Sequence, residues 1–203
     1  MKLVAIVGAD GTGKSTQAQR LARRLTELGR DAACVRPVFL LFDPWKLRGE
    51  RGTTRAMSPR LRRVGNGSAR RRGGSLAASA AGYAYALATY LYMRAHYRGV
   101  EFLVCDRYFY QYFFDVSGMG ARGIAKSFPR PSVVFWLDGD LGIVRQRSDT
   151  PPTTPAEEKY FEDAFAFYRD LAPSLGFVRI DASRPVEAVA EEIFRVLFER
   201  VGA

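Results

Sequence analysis

Cysteine and histidine are scarce in this chain of 203 residues, which has two cysteines, Cys34 and Cys105, and one histidine, His96. Two thiols cannot build the disulfide framework of a small secreted scaffold. Both lie in apolar runs, so reduced, buried side chains in a cytoplasmic protein are expected. A single imidazole speaks against a histidine-based metal centre and against a Ser-His-Asp triad. Long apolar stretches are missing as well. The run Leu3 to Val7 is too short for a membrane span or an export signal and breaks at Gly8, Asp10 and Gly11. It reads as a first strand.

Acidic residues are nearly absent from one region. Between Lys46 and Ser75 there are ten basic side chains and a single acid, Glu50, so this stretch carries +9 of the net +10. Its glycines (Gly49, Gly52, Gly65, Gly67, Gly73 and Gly74) disfavour regular structure. The expectation is a mobile, basic insertion, 46–75, within one domain spanning 1–203. Three readings stand beside each other. The segment is a solvated loop, a flap that closes over phosphate groups, or a grip on nucleic acid or another polyanion. Aromatic interleaving, expected of a single-strand binding groove, is lacking.

What is present alternates. Apolar runs at Leu3–Val7, Ala32–Val35, Phe102–Cys105, Val133–Leu137 and Phe177–Ile180 read as strands. Helical patterns fall at Ala18 to Leu28, Leu76 to Arg98, Tyr108 to Val116 and Glu157 to Leu171. Another follows Asp140, its expected cap, and a last one runs to about Arg200, with Ser183 as cap and Pro185 in its first turn. The helix from Leu76 is apolar nearly all round, which implies burial or an interface. The fold class is α/β: a five-stranded parallel sheet with helices on both faces.

The sharpest motif is Gly8-Ala9-Asp10-Gly11-Thr12-Gly13-Lys14-Ser15, which fits the phosphate loop G-x-x-x-x-G-K-[ST] between a strand and a helix. Gly8, Gly11 and Gly13 free the backbone to wrap a phosphate, and the N–H groups and the helix dipole face the anion. Lys14 is expected to reach the β- and γ-phosphates of ATP, and Ser15 to ligate Mg²⁺. Asp106, at the end of an apolar strand, is the second expected metal ligand, directly or through water. Arg107 beside it suits a clamp on a transferring or accepting phosphate.

These residues together resemble the thymidylate kinase family. The carriers are Asp10 to Gln17, Asp106-Arg107-Tyr108, Leu137-Asp138 with Arg147 beyond, and Asp181-Ala182-Ser183-Arg184-Pro185. The resemblance implies a P-loop kinase fold, Mg²⁺ and ATP as cofactors, small-molecule nucleotide substrates, and a homodimer whose interface the helix from Leu76 would serve. It implies that Asp10 lies near the acceptor sugar hydroxyl and that Lys14, Ser15 and Thr16 hold the donor. Arg147 would stack on the adenine, with Ala182 and Ser183 bordering it, and residues 148–156 would form a lid.

The chain departs from the family on the acceptor side. Of the usual Arg-Glu-Pro-Gly-Gly-Thr only Arg36-Pro37 remains. Neither the phosphate loop nor Ser148 to Glu158 supplies a catalytic arginine, and Gly73 to Met93 holds no basic residue. Arginines between Arg48 and Arg72 folding over the site are the expected replacement. The expected activity is transfer from Mg-ATP to a nucleoside monophosphate, first dTMP. The alternatives are another acceptor (a nucleoside, a modified nucleotide or a sugar) or a nucleotide-gated nucleic-acid or polyanion-binding protein.

Overall fold

The computed structural model describes residues 1–39, 76–147 and 152–202. The expected basic insertion, 46–75, and residues 148–151 of the expected lid lie outside the described residues. Five parallel strands, β1 (Lys2–Val7), β2 (Ala32–Val35), β3 (Phe102–Asp106), β4 (Val133–Asp138) and β5 (Val178–Asp181), form one sheet in the order β2-β3-β1-β4-β5. The helices are α1 (Lys14–Glu27), α2 (Leu76–His96), α3 (Phe109–Ser117), α4 (Ala121–Ser127), α5 (Leu141–Gln146), α6 (Pro155–Leu175) and α7 (Val186–Val201).

The strands are apolar at consecutive positions because both sheet faces are covered. In β1, Val4 and Ile6 pack with Ala18, Leu21 and Leu25 of α1 and with Val189, Ile193 and Leu197 of α7. Leu3, Ala5 and Val7 point to the other layer, built from α2, α3, α4 and α6. That layer is aromatic. Phe128, after α4, has ring contacts with Phe109 and Phe113 on α3, Tyr108 before it, and Tyr83 and Tyr90 on α2. Edge-on ring packing of this kind locks α2, α3 and α4 into one slab. The slab fixes where Asp106 and Arg107, at the entrance to α3, can point.

The sequence reading needs correction at several places. Helix α6 starts at Pro155 rather than Glu157, because Thr154 and Glu157 form a capping box and Pro155 fits the first helical position. Ser183 does not cap α7. Its hydroxyl accepts from the Asp140 backbone N–H at 3.1 Å, and its own N–H donates to Asp181 at 2.9 Å, so Pro185 fills the position before Val186. Cys34 is half-buried, whereas Cys105 is fully buried, and both are free thiols. Burial pushes the Cys34 thiol up to about 12, so it stays protonated. Helix α2 buries only one stripe, Gly82, Ala86, Thr89 and Met93, and leaves Leu76 and Leu91 exposed. No helix among the described residues is long and apolar enough to cross a membrane. Asp140 caps α5 as expected, accepting from the N–H groups of Gly142 and Ile143.

Candidate active site

In a sheet of this order, ligands collect beyond the carboxyl ends of the central strands, where the winding direction reverses. The loop from Gly8 to Gly13 leaves β1 at that point. Gly8, Gly11 and Gly13 adopt φ of 145°, 84° and 84°, values that side chains with a Cβ resist. The loop is closed around one oxygen: the Ala9 carbonyl accepts from the Thr12 hydroxyl at 2.8 Å, from the Thr12 N–H at 3.4 Å, and from the Lys14 ammonium. No side chain caps α1, because Gly13 stands at the capping position before Lys14. Its first N–H groups are therefore left to an incoming anion.

Lys14 is 4% exposed, and its ammonium lies 3.5 Å from Asp10. Arg107 pairs with the same Asp10 carboxylate from the side of β3. Burial raises the Asp10 carboxyl, but Lys14 and Arg107 more than reverse this and hold it well below the usual carboxylate range. Burial and the nearby Arg107 charge push the Lys14 ammonium down to about 8, against the pull of Asp10 and Asp106. Two cations thus share one anion in the loop.

Arg107 is the one non-glycine residue with positive φ among the described residues, at 71°. Its N–H nevertheless stays in the sheet ladder, donating to the Ile6 carbonyl at 3.0 Å. The kink directs consecutive side chains apart: Arg107 toward Asp10 and Asp106 toward Ser15 and β2.

Asp106 pairs with Ile6 across the β1–β3 ladder and is 1% exposed. Its Oδ2 accepts from Arg36 Nε at 3.0 Å and from Arg36 Nη2, and that Nη2 also donates to the Ser15 hydroxyl at 2.8 Å. The second carboxylate oxygen, Oδ1, is buried without a hydrogen-bond partner. The two residues expected to ligate Mg²⁺ are therefore close enough for one guanidinium to bridge them, and a lone pair is left over. A serine hydroxyl and a carboxylate with one oxygen unpartnered are hard oxygen donors of the kind Mg²⁺ takes. No three His, Cys, Asp or Glu side chains cluster among the described residues. A divalent ion here would thus rely on Ser15, Asp106, water and nucleotide oxygens.

On the far side, Arg147 Nη1 donates to the Ala182 carbonyl at 2.9 Å, and Ser183 is tied to Asp140. The expected adenine-side residues Arg147, Ala182 and Ser183 are thus brought together. Thr16 lies exposed in the first turn of α1, beside Ser15.

Two features escaped the sequence reading. One is the bridging role of Arg36. The other is a polar cluster between α3 and α6. Tyr160 donates to Asp115 Oδ1, Gln111 Nε2 donates to the same oxygen at 3.0 Å, and Gln111 also reaches the Tyr160 hydroxyl at 3.0 Å. Burial pushes the Asp115 carboxyl up to about 6, against these hydrogen bonds; Asp10 adds to the rise and Arg107 opposes it. With its folded value above the unfolded one, Asp115 binds more protons in the folded state between about pH 4 and pH 6. Its charged form then costs stability above that window. The variant Asp115→Asn keeps the Oδ1 acceptor and removes the charge. It is expected to melt about 2–6 °C above the unaltered protein at pH 7.5, the gap closing toward pH 4 in paired thermal melts.

No family model matches the chain. A protein of Treponema pallidum (strain Nichols), named "Putative thymidylate kinase", is 30% identical over 113 residues, covering 49% of this chain and 54% of that protein. The chain thus spans about half the length of this curated relative, and the likeness, set on an α/β sheet of the P-loop kinase type, suggests a kinase in general.

Proposed function

We propose that the protein is a nucleotide kinase that transfers a phosphoryl group from Mg-ATP to a nucleoside monophosphate, with dTMP the first candidate. The observation that carries this reading is the meeting of Ser15 and Asp106 around one cationic group beside the phosphate loop. A glycine-rich loop with the phosphate-loop sequence beside two hard oxygen side chains suits phosphoryl transfer, which needs positioning and charge neutralisation more than covalent chemistry. The partial likeness to the treponemal protein supports dTMP as acceptor.

Lys14 holds the outer phosphates, aided by the free N–H groups at the start of α1. Ser15 and Asp106 hold Mg²⁺, which when bound neutralises charge on the phosphate oxygens. Arg107 turns from Asp10 to the phosphate in transit, and Asp10 is then released to accept a hydrogen bond from the acceptor. Arg147 and the Ala182–Ser183 backbone border the donor base. Small nucleotides are the partners, and a homodimer through the exposed side of α2 belongs to the same reading.

A second acceptor class is favoured by one observation: α2 carries no basic residue before Arg94, so this helix brings no charge there to a phosphate already in place. A nucleoside or a sugar would need none. The test is release of ADP from Mg-ATP with dTMP, other nucleoside monophosphates, nucleosides and sugars in turn, with Lys14→Ala as the inactive control. Stimulation by dTMP above all others is expected. Stimulation by an unphosphorylated acceptor alone would replace the first reading with the second, and no stimulation by any acceptor would remove both.

A further inference from the structure

Arg36 stands where the proposed divalent ion has to be. It follows β2 directly and precedes Pro37, which keeps its backbone extended, and its side chain reaches Asp106 on β3. Its guanidinium satisfies Asp106 Oδ2 through two nitrogens and occupies the Ser15 hydroxyl with one of them. These oxygens, with the unpartnered Oδ1 beside them, are the ones a hard divalent cation would use, and Arg36 holds two of the three. A carboxylate that is 1% exposed is costly to leave without a positive partner, and Arg36 supplies it while remaining one-quarter exposed on its solvent side. One cation can therefore leave as another enters, without the buried carboxylate ever standing alone.

We propose that Arg36 is a resident counter-cation of the metal site: it keeps free divalent ions off Ser15 and Asp106 and gives way only to the ion that arrives with nucleotide. The inference rests on the reading of Ser15 and Asp106 as metal ligands. Arg36 is in this sense a positioning residue, since it acts on the metal ligands and not on the reacting phosphate. The ion alone offers only a swap of one cation for another. The ion with nucleotide adds the phosphate contacts of the loop, and these tip the exchange.

The experiment uses Mn²⁺ without any nucleotide, followed by the loss of its free-ion electron paramagnetic resonance signal on the full chain. The unaltered protein is expected to bind Mn²⁺ weakly. Arg36→Met is expected to bind it about tenfold more tightly or better, since a competing charge a few ångströms away is gone. The double variant Arg36→Met with Asp106→Asn should lose that gain. A second readout is thermal: Arg36→Met should melt lower than the unaltered protein and recover with Mn²⁺, while the unaltered protein should not respond.

Equal Mn²⁺ affinity with and without Arg36 would overturn the inference, as would a gain that survives Asp106→Asn. Should Arg36→Met not fold, Arg36→Lys decides: it keeps one positive charge but loses the two-nitrogen grip on Oδ2. A rise in Mn²⁺ affinity of about threefold supports the inference, and no rise overturns it. Because no nucleotide or acceptor is present, this outcome is independent of the acceptor screen. The kinase reading can fail there while the exchange stands, and the reverse also holds.

Discussion

Lys14→Ala is expected to lower turnover by about a thousandfold, the scale seen when a preorganised charge facing a reacting phosphate is removed. The fold should survive. Lys14 is nearly enclosed, its ammonium is held at about 8 by burial and by Arg107, and its anion Asp10 keeps Arg107 when the lysine is gone. Thermal melts should therefore show little loss beside the activity loss, which separates a failed site from a failed fold. A pH experiment gives the same residue a second test. Free Lys14 loses its proton near pH 8, and bound phosphate favours the ammonium. Binding is then complete below that value and weakens above it, by up to about tenfold per pH unit. Calorimetry of ADP at pH 9, in buffers of different ionisation heat, should register uptake of one proton. Affinity that stays level from pH 7 to 9.5 would remove Lys14 from the phosphate contacts.

Gly8→Ala is the second large effect. A Cβ at Gly8 would stand 2.5 Å from the Leu137 carbonyl oxygen and 3.1 Å from the Thr12 hydroxyl, on a backbone with φ of 145°. The carbonyl belongs to β4, one of the central strands, and cannot move aside as a flexible side chain would. Strain and forced contact together should cost about 3 kcal/mol or more, a fall of roughly 6–12 °C in a melt for a chain of this size. Gly13→Ala separates the two causes. Its Cβ would meet nothing within 4 Å, so only the φ of 84° resists it, and about 1 kcal/mol is expected. Equal losses for the two variants would show that backbone conformation, and not the approach of β4, holds the loop.

Much of the fold was legible because its signals are local. Strands covered on both faces leave continuous apolar runs, and β1, β3 and β4 were read to within a residue of their ends. The phosphate loop carries its own glycines and lysine in eight consecutive positions. The start of α6 was equally local: Thr154-Pro155-Ala156-Glu157 is a capping-box spelling, but the prolines and threonines before it drew attention to a loop instead. Ser183 failed as a cap for a different reason. Its hydroxyl had a competing partner on the loop after β4, some forty residues away in sequence.

The bridge through Arg36 was hidden in the same way. It joins residues 21 and 70 positions apart, and only the placement of β3 between β1 and β2 brings them together. The Asp115–Tyr160 bond spans 45 positions and needs α3 and α6 to pack side by side on the aromatic layer. Neither residue stands in a motif, so spacing carried no sign of them. The basic stretch 46–75, the plainest compositional feature of the chain, falls outside the described residues.

Arg107 leaves β3 through a left-handed kink in the main chain. The backbone there sets the direction in which the side chain leaves the sheet, and the Asp10 carboxylate holds the guanidinium at its far end. In the proposed kinase, an arginine already held by Asp10 has little side-chain entropy left to lose when a phosphate takes the place of that carboxylate, and this freedom is worth up to about 2 kcal/mol. A clamp held in this way would meet a small oxyanion without first having to search for it.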